Sequence, residues 1–159
     1  MVKKNYQSEI TGDEKKVSKA ILKNTRASLK YATEFARELK NKPIKKAEAF
    51  LNDILEKKRY LPLRKYNRKV AHRPGKSESG VKSGRYPLGT TKVFLELLQN
   101  LKANADYKGL DSNKLIIKNV FASEGFRRMS YQSQGRISGK RRKKKSIHLE
   151  AVAIEGSGL

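Results

Sequence analysis

The chain has 159 residues, with 38 Lys+Arg against 15 Asp+Glu, a formal charge of +23 and a pI near 10.3. A compact body at that charge repels itself, so a permanent polyanion is the expected partner. Cysteine is absent, which excludes disulfides and thiolate metal sites, and no apolar run is long enough to cross a bilayer. The start, Met1-Val-Lys-Lys-Asn-Tyr6, lacks the apolar segment of a signal peptide, so a cytoplasmic protein is the default. The length implies one domain over 1–159, and the 36% hydrophobic content supports a modest core.

Residues 4–11 read as a short edge strand, with Tyr6, Ser8 and Ile10 on one face, ended by Gly12-Asp13. Residues 14–24 are basic, with Val17, Ala20 and Ile21 at helical spacing, which suggests a helix turn or an ordered loop. Ser28 to Leu39 reads as a helix: Leu29, Ala32, Phe35, Ala36 and Leu39 form one apolar stripe, and Ser28 is the candidate N-cap. Asn41-Lys42 breaks it, and Pro43 opens a second helix carrying Ile44, Ala47, Leu51, Ile54 and Leu55, which should stop before Pro62. So short a link predicts that the two helices are antiparallel neighbours.

From 61 to 89 the hydrophobic period disappears. Arg64, Lys65, Arg68, Lys69, Arg73, Lys76, Lys82 and Arg85 face a single acid, Glu78, with Tyr66, His72 and Tyr86 interspersed and Gly and Pro recurring. Such an insert is expected to be mobile in the free protein, or ordered only by something outside the chain. Cations for phosphates and flat rings for exposed bases are what an RNA-embedded loop needs. Thr90 or Thr91 is positioned to cap a third helix, whose buried face is Phe94, Leu97, Leu98, Leu101 and Ala105, and which stops by Gly109.

The last third organises the whole. Leu115-Ile116-Ile117 to Val120-Phe121 leads in, and Ile147 to Ile154 leads out. Between Glu124 and Glu150 lie nine cations and no acid: Arg127, Arg128, Arg136, Lys140, Arg141, Arg142, Lys143, Lys144 and Lys145. The pattern predicts one long β-hairpin over 113–155, bending at Gly125, Gly135 and Gly139. Arms of roughly 20 residues reach on the order of 60 Å, further than so small a domain extends, so the outer half, about 125–146, must project. A projecting ribbon of cations has no core of its own; its partner must supply negative charge and a packing surface, as folded RNA does.

Catalytic signals are thin. His72 and His148 carry no metal-ligand spacing; His148 reads as a packed or RNA-facing ring, and His72 as a phosphate or solvent contact. Gly80-Val-Lys-Ser-Gly84 lacks P-loop spacing. Glu48, Asp53 and Glu56 read as solvated charge pairs. No nucleophile or paired carboxylate stands out, so neither an enzyme nor a metal or cofactor is expected. An RNA-processing enzyme needs a catalytic constellation that is missing. A free-standing, chromatin-like nucleic-acid-binding protein is the alternative, but it would usually gather its charge on a compact face or recognition helix.

In motif order the chain resembles the universal large-subunit ribosomal protein twenty-two family, in its archaeal and eukaryotic form (numbered seventeen in eukaryotes). The motifs are Arg26-Ala-Ser-Leu-Lys30, Gly84-Arg-Tyr-Pro87, Phe94-Leu-Glu-Leu-Leu98, Asn104-Ala-Asp106, and Glu124-Gly125 with Gly135-Arg136. The 61–89 insert matches the archaeal and eukaryotic branch. The resemblance implies an α+β fold, three helices packed on a small three-stranded antiparallel sheet, with a long basic hairpin extending into the large subunit. It implies a non-enzymatic structural constituent that binds rRNA, supports assembly and lines the nascent-peptide exit tunnel with its hairpin tip. Arg26, Ser28, Lys30, Tyr86, the cations of the insert and the run from Arg136 to Lys145 are then expected on rRNA. Arg127, Arg128, Met129, Tyr131, Gln132, Gln134 and Arg136 are expected nearest the tunnel wall. Neighbouring ribosomal proteins and the nascent chain are the other implied partners; no membrane and no homo-oligomer is implied.

Overall fold

Two long strands, β4 (Leu115–Tyr131) and β5 (Arg141–Glu155), form an antiparallel hairpin that is both the sheet of the body and its extension. The structure is a computed structural model and describes residues 6–7, 14–75 and 77–156. β1 (Val17–Thr25) pairs with β5 on its other edge, giving a three-stranded antiparallel sheet in the order β1-β5-β4. Three helices cover one face: α1 (Leu29–Leu39), α2 (Ile44–Leu55) and α3 (Leu88–Tyr107). This is the α+β architecture that the resemblance implies.

The third strand is not where the residue pattern suggests. Of residues 4–11, only Tyr6 and Gln7 are described, and neither lies in a strand; Gln7 N–H donates to the Glu150 carboxylate at 2.8 Å. The strand is instead Val17–Thr25, after a 3-10 turn at Glu14–Lys16. Its alternation is hidden because a polar residue, Ser18, stands on the helix-covered face and Val17 and Ile21 on the other. Ser18 lies under α3, donating its hydroxyl to the Leu101 carbonyl at 2.8 Å, while Val17 on the opposite face is also buried. Asn104 Nδ2 and Lys108 Nζ donate to the Lys19 and Val17 carbonyls, fixing α3 along β1.

Ser28 is the N-cap of α1 as expected, and the other two helix starts differ from expectation. The Ser28 side chain makes no capping bond; its carbonyl accepts from Ala32 N–H instead. Pro43 sits one position outside α2 as the N-cap, rather than within its first turn. α3 begins at Leu88, so Thr90 and Thr91 are buried within its first turn and do not cap it, and Thr91 Oγ1 donates back to the Pro87 carbonyl. α1 lies along β4 and α2 against α3. The link is stitched to the sheet edge: Asn41 N–H donates to Ile117 O, and Ile117 N–H to Lys42 O. Asn41, at φ 62°, turns the chain within this link.

The core is one cluster between helices and sheet. Phe35 of α1 meets Phe94 of α3 with ring centroids 5.0 Å apart, and Leu39, Ile44, Leu51, Ile54, Leu97, Leu101, Leu115 and Leu149 close around them. Among the described residues, no helix is long and apolar enough to cross a membrane.

The insert is ordered by the chain itself, contrary to its lost periodicity. Leu61–Pro62 (β2) pairs with Gly84–Arg85 (β3), closing its two ends. Leu63 N–H and Arg73 N–H then donate to the Ser83 and Lys82 carbonyls. Leu61 and Leu63 are buried in the common core. Glu34 of α1 is 1% exposed, and its carboxylate accepts three backbone N–H groups, from Lys65 (2.7 Å), Tyr66 (2.9 Å) and Arg64 (3.3 Å). At the far end Lys42 and Arg59 converge on Glu78, whose carboxyl they hold below the usual carboxylate range, Lys42 contributing most. These contacts join residues far apart in sequence and leave no periodic trace.

Candidate nucleic-acid interface

The outer hairpin is the most highly charged part of the molecule. No residue from 125 to 146 is buried. Its base is marked by a β-bulge: Glu124 pairs with Ile147 and Arg127 with Lys145, so Gly125 and Phe126 together oppose Ser146. β1 is irregular at the same level, with Asn24 at φ 56°. Asn24 reaches across β5 to the bulge: its Oδ1 accepts from Phe126 N–H (3.1 Å), and its own N–H donates to His148 Nδ1 (3.1 Å). The Ser146 hydroxyl donates to the Phe126 carbonyl (2.8 Å) and lies 3.2 Å from Asn24 Oδ1. A Cβ on Gly125 would come within 2.8 Å of both Asn24 Oδ1 and Ser146 Oγ, so glycine alone fits there. This knot sets where the finger leaves the sheet.

Beyond the knot the register puts like charges opposite one another: Arg127 faces Lys145 and Arg128 faces Lys144. Each such pair works against strand pairing by up to ~1 kcal/mol. Glu124 relieves the first pair, contacting both Arg127 and Lys145, and their hydrogen bonds, Arg127 foremost, hold its carboxyl below the usual range. Nothing comparable reaches the rest. Among the described residues Arg128, Arg136, Lys140, Arg141, Arg142, Lys143 and Lys144 are exposed and have no acid partner. The body is different: Lys102 pairs with Glu48, Arg59 with Asp53 and Lys58 with Glu56, so those acids are in charge pairs, as their sequence context suggests.

The candidate contact residues sort accordingly. Arg26, Ser28 and Lys30 are exposed at the start of α1, beside the finger's base. A crevice of about 330 Å³ separates Ser28, Leu29 and Lys30 from Glu124 and Lys145. In the insert Lys65, Arg68, Lys69, Arg73, Lys82 and Arg85 are exposed, whereas Lys76 lies outside the described residues. Arg64 is committed internally, with Nη2 2.6 Å from Glu38. Arg85 donates to the Tyr31 hydroxyl, and Arg73 lies over the Tyr86 ring at 5.4 Å. His72 is exposed beside Ser83. On the finger, Arg127, Arg128, Met129 and Tyr131 are strand residues facing Lys145, Lys144, Lys143 and Arg141. The loop at its end runs from Gln132 through Gln134, Gly135 and Arg136 to Lys140, closed by Gly139 N–H donating to Gln132 O. Arg127 and Arg128 therefore sit near the base of the projecting part, whereas Gln132, Gln134 and Arg136 are at its end.

The model of the family described as ribosomal protein L22p/L17e matches residues 20–153, which takes in the body, the insert and the whole finger. The chain belongs to that ribosomal protein family. It is 36% identical over 157 residues to large ribosomal subunit protein uL22 of Methanococcus vannielii, covering 98% of this chain and 99% of that one. To the uL22 protein of Thermoplasma acidophilum it is 32% identical over 159 residues, 99% of each chain, and to that of Archaeoglobus fulgidus 41% identical over 113 residues, 71% and 72% of the two chains. The relatives are archaeal, in keeping with the branch that the insert indicates.

Three contributors escape a reading of this L22p/L17e chain by charge alone. Glu34 is an acid on an apolar helix face, and its role as an anchor depends on residues 30 positions away. Phe126 directly precedes the basic run, Asn24 lies on β1 far from it in sequence, and neither carries charge. An asparagine, a residue type tolerant of positive φ, and an aromatic residue directly after Gly125 were the signals available. Among the described residues, no group of three or more His, Asp or Glu could hold a metal ion.

Proposed function

We propose that this protein is a structural constituent of the large ribosomal subunit, in the cytoplasm, holding rRNA with its finger and insert and supporting subunit assembly. The observation that carries the reading is the finger itself: seven exposed cations without acid partners among the described residues, two strands with like charges opposed, and no core beneath them. RNA phosphates supply the missing counter-charge, and most of these contacts position the protein without reading base sequence. Membership of a ribosomal protein family supports the same conclusion. The proposal extends to the exit tunnel: the finger's end passes through Gln132-Ser-Gln-Gly135, a neutral polar stretch suited to a wall along which a nascent chain slides without being held. A chromatin-like protein is the poorer reading, because the charge lies along a ribbon and a loop instead of on one helix face.

Fractionation tests it. The protein should comigrate with the large subunit through a moderate-salt wash. Recovery as free or nucleoid-bound protein would overturn the proposal.

A further inference from the structure

At the base of the finger, on the face of the sheet away from the helices, lies a crevice of about 600 Å³ lined by Asn24, Arg26, Phe126, Arg128, Lys144 and Ser146. Its volume is in the range of sites that enclose small ligands. Phe126 is 61% exposed although it belongs to the bulge, where its own backbone N–H and carbonyl are both bonded. An exposed ring on a mobile loop signifies little. Here the ring is carried on a backbone pinned from β1 by Asn24 and from β5 by Ser146, so it is presented in one place before any ligand arrives. Arg128 lies over one face of the ring, its guanidinium 5.8 Å from the centroid, and the other face is left for a base. Arg26 and Lys144 are exposed at the same crevice and have no acid partner among the described residues.

We infer that this crevice is a binding site for one unstacked nucleotide: the base lies on the Phe126 ring, and its phosphates are held by Arg26, Arg128 and Lys144. The inference rests on the rRNA-binding reading and adds a definite ligand to it. A paired duplex shows phosphates but hides its base faces, so it satisfies the cations and leaves the ring in water. A single extruded nucleotide satisfies both, because every base has a flat face and carries its phosphate alongside. The Asn24 side-chain nitrogen has no partner among the described residues and adds a donor for a base acceptor at the rim. Three uncompensated cations around one aromatic ring favour this occupant over an apolar protein segment.

The test uses the full chain and two RNA probes of equal length, an oligouridylate carrying one 2-aminopurine and a fully paired duplex. Wild type should quench the aminopurine on binding. Phe126→Leu should abolish the quenching and weaken single-strand binding about tenfold, within the range of one base–aromatic stack, while leaving duplex binding unchanged. Phe126→Tyr, which keeps the ring, should behave as wild type. The Phe126 side chain is largely outside the core, so circular dichroism should show both variants folded. Wild-type binding of both probes, with Phe126→Leu indistinguishable from it, would overturn the nucleotide site and leave rRNA binding standing; a partner protein would then be the occupant of the crevice. Failure of wild type to bind either probe at low salt would overturn both.

Discussion

Replacing Glu34 with alanine removes the acceptor for three backbone N–H groups at once. Two of those bonds are short, 2.7 Å from Lys65 and 2.9 Å from Tyr66, and the third, from Arg64, is 3.3 Å. A hydrogen bond to a charged group contributes about 1.5–3 kcal/mol net. The vacated donors lie on a surface loop where Lys65 is exposed, so water recovers part of the loss. The Arg37–Glu34 ion pair adds little, because Arg37 is 39% exposed. The expected cost of Glu34→Ala is therefore about 3 kcal/mol. Glu34→Gln retains an oxygen for Lys65 and Tyr66, which share Oε1, and turns the other position into a donor facing Arg64 N–H; it should cost about 1 kcal/mol. Urea unfolding gives the stability difference, and amide exchange at Lys65 and Tyr66 shows whether the loss is local. If Glu34→Ala unfolds within about 1 kcal/mol of wild type and protection at those two amides is unchanged, then the carboxylate does not hold the insert and the account of its order is wrong.

Further outcomes follow from the same contacts. Changing Arg141 to Lys145 to glutamine should weaken rRNA binding and flatten its salt dependence, since each phosphate contact contributes a slope of about 0.9 in log affinity against log salt; an unchanged slope would mean that this run is not on phosphate. Gly84→Ala would place a Cβ 2.1 Å from Tyr60 Cδ2, and because Tyr60 is buried and its hydroxyl is bonded to the Val81 carbonyl, the ring cannot step aside. We expect a loss of about 1–3 kcal/mol in thermal or urea unfolding, with the insert's strand pair opening first. Glu78 is held below its ordinary value by Lys42 and then Arg59, so its clamp on the insert is fully present at neutral pH and is lost only as pH falls through that lowered value. Amide protection of residues 77–82, taken relative to the intrinsic exchange rate at each pH, should be flat from neutral pH down to the ordinary glutamate range and fall below it; a fall near neutrality would contradict the pairing.

Much of the molecule was legible where a short-range period exists. The stripes Leu29 to Leu39, Ile44 to Leu55 and Phe94 to Ala105 are helices because one covered face imposes a 3.6-residue repeat. The hairpin was legible because two apolar runs bracket a segment of one charge. β1 was not, because Ser18 takes a place on its helix-covered face while Val17 and Ile21 lie on the other, and Val17, Ala20 and Ile21 happen to fall at helical spacing. The insert was misread for a related reason: Glu34, Glu78, Tyr60 and Gly84 order it through bonds that span tens of residues, which no local window contains. The exposed cations of the candidate interface were legible nearly one by one, but Arg64 is held by Glu38, a partner on another element.

By itself the amino-acid order determined the sign and place of the charge, the three helices, and a ribbon that must leave the body to find its counter-ions. Those properties follow from composition and from neighbours a few residues apart. Tertiary structure alone decided which residues make the sheet's third strand, which cations remain free, and that Asn24, Gly125, Phe126 and Ser146 meet at the finger's root. These depend on groups brought together from opposite ends of the chain, where pairing distance, not sequence distance, determines what each side chain has to do.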